Sequence, residues 1–209
     1  MDARFRFCAL MLGLFIAAVF MASHFLPWLA PLLTLDRATV LAMPWTPVSK
    51  MFVHADWQHL LYNLFGLMLF GSMLERWAGW RSFLIVFFAA GIASGLGGLA
   101  FYSSIIGASG AIFGVMGCLA VIRPRQLALA FGVPVSMWGA VVVYAAFDFL
   151  LFFSADGVAH ASHLIGLGAG IVMGLELRPR MPRQQRKDEP EWPTEKELEK
   201  WERDWMLSP

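Results

Sequence analysis

The sequence predicts an all-α membrane protein: a bundle of six transmembrane helices, with a short central fourth helix and an interfacial loop after helix one. Three observations lead there. The chain of 209 residues is 58% hydrophobic and only 15% charged, with a mean hydropathy of +0.62, whereas soluble domains run nearer half apolar and a quarter charged. Six apolar runs suit a bilayer core of about 30 Å, which takes roughly 20 helical residues to cross. Threaded in alternation, those runs leave nearly all Lys and Arg on one side, the asymmetry expected of cytoplasmic loops.

The runs cover residues 7–26, 57–74, 83–102, 109–122, 131–153 and 159–177. Arg4 and Arg6 precede the first, as they would a signal peptide, but the apolar stretch is long and no A-x-A cleavage site follows, so a retained helix is expected. With the N-terminus inside, the cytoplasmic segments receive Arg4 and Arg6, then Arg76 and Arg81, then Arg123 and Arg125, then the tail from Arg178 to Lys187. The opposite side keeps only Arg37 and Lys50. Residues 1–177 therefore form the membrane domain, and 178–209 a cytoplasmic tail. The tail is basic at first and then amphipathic, with a capping box at Thr194 and Glu197 and an apolar face of Leu198, Trp201 and Trp205.

Two segments depart from a plain bundle. Residues 27–56 carry Trp28, Trp45 and several prolines, a composition suited to the outer interface. The fourth run is short. A helix over 109–122 covers only about 21 Å at about 1.5 Å per residue, so it starts below the outer surface if Arg123 anchors it at the inner one. Non-helical backbone at that depth is tolerated only against protein or a water-filled cavity. A wet pocket with Ser109 at its floor is expected.

Polar groups inside spans are costly, and each invites a functional reading. They are His59, Asn63, Ser109, Asp148, His160 and His163. Ser109, in Gly107-Ala108-Ser109-Gly110, is not in a G-x-S-x-G elbow. Alone, such a serine is more often a packing residue. Its place at a helix start changes this, because the unpaired N–H groups of the first turn stabilise a developing oxyanion. Gly110 and Gly114 on the fourth run, with Gly117 below, and Gly166 and Gly170 on the sixth, let two helix backbones approach closely. If those faces meet, Ser109 and His163 come together as nucleophile and base. That the glycines only pack helices fits the spacing equally well.

His160 reads as a solvated helix-start histidine, and Asp148 as a structural group capping a helix or anchoring the outer loop, with an orienter of His163, reached from a different helix, as the less favoured alternative. His59 and Asn63 share a helix face and both donate hydrogen bonds, as an oxyanion hole needs. No H-E-x-x-H or acidic ligand pair accompanies the histidines, so no metal and no cofactor is expected. Cys8 and Cys118 lie in apolar runs and read as buried small hydrophobes. The net charge of +1 gives no field for nucleic acid.

Four motifs together resemble the rhomboid family of intramembrane serine proteases: Phe52-Val-His54, His59-Leu-Leu-Tyr-Asn63, Gly107-Ala-Ser109-Gly110 and His163-x-x-Gly166-x-x-x-Gly170. Their order on spans two, four and six is specific, and the resemblance runs from about Trp45 to Leu177. It implies a Ser109–His163 dyad, an oxyanion hole of His59, Asn63 and the Ser109 N–H, and transmembrane protein substrates met within the lipid bilayer. It also implies a simple prokaryotic type, expected in the bacterial inner membrane, while the charge asymmetry and the short fourth helix are what open the site to the outer side. Two positions differ from the family pattern. Thr46 follows Trp45 where arginine is usual, and Phe113 stands where some members stack a tyrosine on the catalytic histidine. Two other readings compete: a rhomboid-like pseudoprotease that binds transmembrane segments without cutting them, and a small transporter, for which no inverted repeat of broken helices is visible.

Overall fold

A computed structural model describes residues 6–154 and 156–178, together with Lys196 and Lys200. Apart from those two lysines, the expected amphipathic tail lies outside the described residues.

Helix α1 (Cys8–Phe25) opens the described chain. Its first-turn N–H groups have no intrahelical acceptor. The buried carboxylate of Glu75 supplies one, accepting from the N–H groups of Arg6, Cys8 and Ala9 at 2.8, 3.0 and 3.1 Å. The segment that follows contains α2 (Leu29–Leu33), strand β1 (Leu35–Asp36), α3 (Thr46–Ser49) and a 3-10 turn at Lys50–Phe52. Thr46, in the place of the usual arginine, is fully buried and donates its hydroxyl to the Met43 carbonyl at 2.8 Å.

Helix α4 (Trp57–Gly66) begins at Asp56, whose extended backbone and side chain cap the His59 N–H at 2.8 Å. It runs without a break through a π-helical stretch at Leu67–Gly71 into α5 (Ser72–Ala78), past the expected end at residue 74. Gly79, at φ 86°, turns the chain into α6 (Trp80–Gly98). Strand β2 (Ser104–Ile105) pairs antiparallel with β1, Leu35 facing Ile105. Helix α7 (Ser109–Ile122) follows.

The expected fifth helix over 131–153 is corrected. Its first residues form a hairpin instead, β3 (Leu127–Ala130) with β4 (Val133–Ser136), and α8 spans only Met137–Leu150. A hydropathy count does not separate a strand from a helix. The local chemistry does: Phe131 and Gly132 both take positive φ, at 49° and 82°, the two-residue turn that joins antiparallel strands. The β-branched Val133 and Val135 favour the extended chain beyond it, and Ser136 then caps Gly139 N–H at 3.1 Å to start α8. With two small antiparallel pairs, the chain is predominantly helical and not strictly all-α.

Helix α9 (His160–Leu177) closes the described fold. Among the described residues, three helices, α1, α6 and α9, are long and apolar enough to cross a membrane; α7 and α8 are apolar but shorter. Helix α7 is the hub, nearly all of it buried. Its tightest neighbour is α9, because the two meet along glycines. A Cβ added at Gly166 would fall on the Gly110 carbonyl, one at Gly170 on the Gly114 carbonyl, and one at Gly117 on the Leu167 carbonyl. Cys118 is buried, and Cys8 is half-buried where α1 begins.

Candidate active site

The segment ahead of α7 is held from two sides. The β1–β2 pair ends at Ile105, and Gly107 N–H donates to the Lys50 carbonyl at 2.8 Å, while Lys50 Nζ reaches back to the Gly107 carbonyl at 3.4 Å. Gly107 sits at φ 97°, left-handed backbone that a side chain rarely adopts. It also packs under the His59 ring: a Cβ there would lie 2.7 Å from His59 Nε2. Backbone conformation and close approach both require glycine, and together they set Ser109 at the first turn of α7.

Ser109 Oγ lies 2.7 Å from His163 Nε2. The contact follows from the glycine seam between α7 and α9, which brings the two backbones together just below both side chains. Phe113, one turn below Ser109, stacks on the His163 ring with centroids 4.5 Å apart and planes inclined by 15°. His59 lies over Gly107, with its ring edge-to-face against buried His54 at 4.9 Å. Asn63 is buried, its side-chain amide donating to the His59 carbonyl at 2.8 Å. His59 therefore stands beside the backbone that leads into α7, and Asn63 is tied to it one turn on. In the segment that leads into α4, burial pushes Lys50 down to about 8, and burial with the neighbouring His59 pushes His54 down to about 4.

His160 sits where the sequence did not lead, and Asp148 makes the contact that the sequence favoured less. His160 is buried, not solvated: its Nδ1 lies 2.5 Å from Asp148 Oδ1 and its Nε2 3.1 Å from Asp156 Oδ2. Asp148, expected to cap or anchor, is buried, and the same Oδ1 lies 3.0 Å from His163 Nδ1. The sequence held a signal for this. A carboxylate within an apolar helix must find a partner, and His160 and His163 stand at the same outer end on the next helix. Asp148, His160 and His163 also offer one ligand atom each within 4.8 Å. A cation there would have to displace the hydrogens that bridge both rings to Asp148.

Residues 41–180, more than half of the chain, match the family described as the Rhomboid domain. The chain belongs to the rhomboid family. It is 29% identical over 157 residues to Rhomboid protein 1, mitochondrial, of Saccharomyces cerevisiae, covering 67% of this chain and 44% of the yeast protein. It is 30% identical over 140 residues to the putative rhomboid protease YdcA of Bacillus subtilis, covering 63% and 66%. A third relative, Inactive rhomboid protein 2 of Homo sapiens, is 26% identical over 134 residues, covering 62% and 15%. The chain thus spans less than two thirds of the length of these relatives. As a rhomboid with long apolar helices, it is an integral membrane protein.

Proposed function

We propose that this rhomboid is an intramembrane serine endopeptidase, cleaving peptide bonds in or near transmembrane segments of membrane protein substrates. The observation that carries the reading is the 2.7 Å contact between Ser109 Oγ and His163 Nε2 at the first turn of α7. A base within about 2.6–3.2 Å of a hydroxyl is placed to take its proton. Ser109 Oγ attacks the scissile carbonyl carbon as its proton passes to His163 Nε2. The oxyanion is received by the Ser109 N–H, His59 and Asn63, at a helix terminus whose dipole favours negative charge. On collapse, His163 returns the proton to the departing amine. It then takes a proton from the water that opens the acyl-enzyme. Ser109 and His163 are the catalytic residues, Gly110, Gly114, Gly166 and Gly170 hold them at contact distance, and Phe113 fixes the imidazole plane.

The path through the bilayer supports the same reading. Six crossings, with α4, the π stretch and α5 as the second, α7 as a short fourth and α8 as the fifth, put both termini on the Lys- and Arg-rich cytoplasmic side. The Ser109 end of α7 then opens outward, where water reaches it. Residues 1–177 are the membrane domain, 178–209 the cytoplasmic tail, and the bacterial inner membrane is the expected place. A substrate helix must unwind to expose its bond, so helix-destabilising residues near the cut are expected.

The inactive human relative favours one second reading, a rhomboid that binds transmembrane segments without cutting them. Reconstitution with a transmembrane reporter separates the two. Cleavage by the wild type and none by Ser109→Ala is the expected result, with Ser109-dependent labelling by a fluorophosphonate. Cleavage that survives Ser109→Ala sinks the protease assignment, and a wild type that binds the reporter without cutting or labelling establishes the second reading.

A further inference from the structure

The mechanism above leaves a buried charge unused. Asp148 lies on α8, apart from the glycine seam, yet its Oδ1 is within 3.0 Å of His163 Nδ1, the ring nitrogen that faces away from Ser109. We propose that Asp148 is a positioning residue for His163, completing a Ser109–His163–Asp148 relay that His160 and Asp156 hold in place. The proposal rests on the protease reading and extends it from two residues to a hydrogen-bonded chain of five.

The hydrogen-bond bookkeeping supports this assignment. An ionised carboxylate only accepts, so the nitrogen facing it carries the hydrogen. His163 therefore holds its hydrogen on Nδ1, and Nε2 presents its lone pair to the Ser109 hydroxyl. This is the tautomer a general base requires. When His163 takes the serine proton, the carboxylate behind it stabilises the imidazolium, the role an aspartate fills in soluble serine proteases.

A buried carboxylate needs a reason to remain ionised. His160 provides it. Both of its ring nitrogens face carboxylates, Asp148 at 2.5 Å and Asp156 at 3.1 Å, so both carry hydrogens and the ring is cationic between two anions. Asp148 Oδ2 has no partner among the described residues, so all the bonding of this carboxylate falls on the oxygen that the two rings share. Holding that oxygen on one side, His160 fixes where it meets His163 on the other. Asp156, in the loop before α9, ties the outer end of the chain to its own backbone by accepting from Val158 N–H at 2.9 Å.

The test uses the full chain in proteoliposomes with the transmembrane reporter, comparing wild type with Asp148→Asn, Asp148→Ala and Asp148→Glu. Asparagine keeps the shape but can offer its NH2 group to Nδ1 and so favour the wrong tautomer. Asp148→Asn and Asp148→Ala should lower kcat by about 10²–10⁴-fold with KM nearly unchanged, and slow fluorophosphonate labelling alike, by comparison with such a substitution in a soluble triad. Asp148→Glu should recover part of the loss. Nitrogen NMR of the imidazoles, recorded on Ser109→Ala backgrounds, should find His163 in the Nδ1–H form, and a mixture once Asp148→Asn is added. The inference is overturned if Asp148→Asn keeps near-normal kcat. It is equally overturned if its loss comes as raised KM and a lowered unfolding temperature with the tautomer unchanged, the signature of a structural anchor. Cleavage that survives Ser109→Ala is a different failure, because it removes the protease reading beneath both.

Discussion

Gly107 bears on the Ser109–His163 pair through the backbone ahead of α7, and Phe113 through the imidazole ring. A methyl at Gly107 meets the His59 ring at 2.7 Å and forces a left-handed backbone on alanine, a strain of about 1–3 kcal/mol. Gly107→Ala is expected to leave the fold standing while moving His59 or the start of α7, and to slow fluorophosphonate labelling of Ser109 at least tenfold. Labelling at the wild-type rate would show that this loop tolerates displacement. Phe113 supplies a stacked ring to His163, a contact worth about 0.5–1.5 kcal/mol beyond buried area. Phe113→Tyr should preserve cleavage, and Phe113→Leu should reduce kcat several-fold with the unfolding temperature little changed. The resemblance marked Phe113 in advance. It carries only a dyad, which is why the sequence favours a structural role for Asp148 ahead of a contact with His163.

The α7–α9 seam places two side chains by removing several others. Gly170→Val puts a branched side chain on the Gly114 carbonyl, and the helices must part to admit it. Overpacking of this kind costs typically about 1–3 kcal/mol, and parting the helices also lengthens the Ser109–His163 contact. A lowered unfolding temperature with loss of cleavage is expected. Gly168 lies on the same helix but has nothing within 4 Å of an added Cβ. Gly168→Ala should therefore be neutral or stabilising by up to about 1 kcal/mol, since alanine is the better helix former. Equal effects at Gly168 and Gly170 would contradict the seam. Helix spacing made this face legible beforehand, because small residues four apart share a face. The hairpin at 127–136 was not legible to the same count, because apolarity alone carries no period.

Contacts distant in sequence tie the two ends of the fold. Glu75 joins the first turn of α1 to α5 through three accepted N–H bonds. Glu75→Ala removes a buried charged acceptor, and hydrogen bonds to charged groups contribute about 1.5–3 kcal/mol each. The expected result is a clear fall in unfolding temperature, with unchanged labelling per folded molecule. At the opposite end, the Val158 N–H and then His160 lower the Asp156 carboxyl to about 2, from an ordinary value near 3.8. A depressed carboxylate stabilises the fold fully above its unfolded pKa. That contribution drains away as pH falls from about 4 towards 2. Asp156→Asn should therefore unfold at lower temperature than wild type at neutral pH, and the gap should narrow below about pH 4 and close only towards pH 2. A gap that persists in acid would mean that Asp156 acts by shape and not by charge.

Residue type and spacing determined that this chain lives in a membrane, where its apolar runs fall, and which residues deserve attention as nucleophile, base and packing face. These are properties of periodicity and transfer free energy, which a linear sequence carries directly. The α7 bounds, the glycine face and the four motifs were all readable there. Tertiary structure decided which of the intramembrane polar groups touch. Asp148 and His163 are fifteen residues apart on different helices, and no local pattern states which face of α8 meets the start of α9. The same limit turned His160 from a solvated residue into a buried link between Asp148 and Asp156. A carboxylate's need for a partner is written in the sequence; the identity of that partner exists only once the helices have packed.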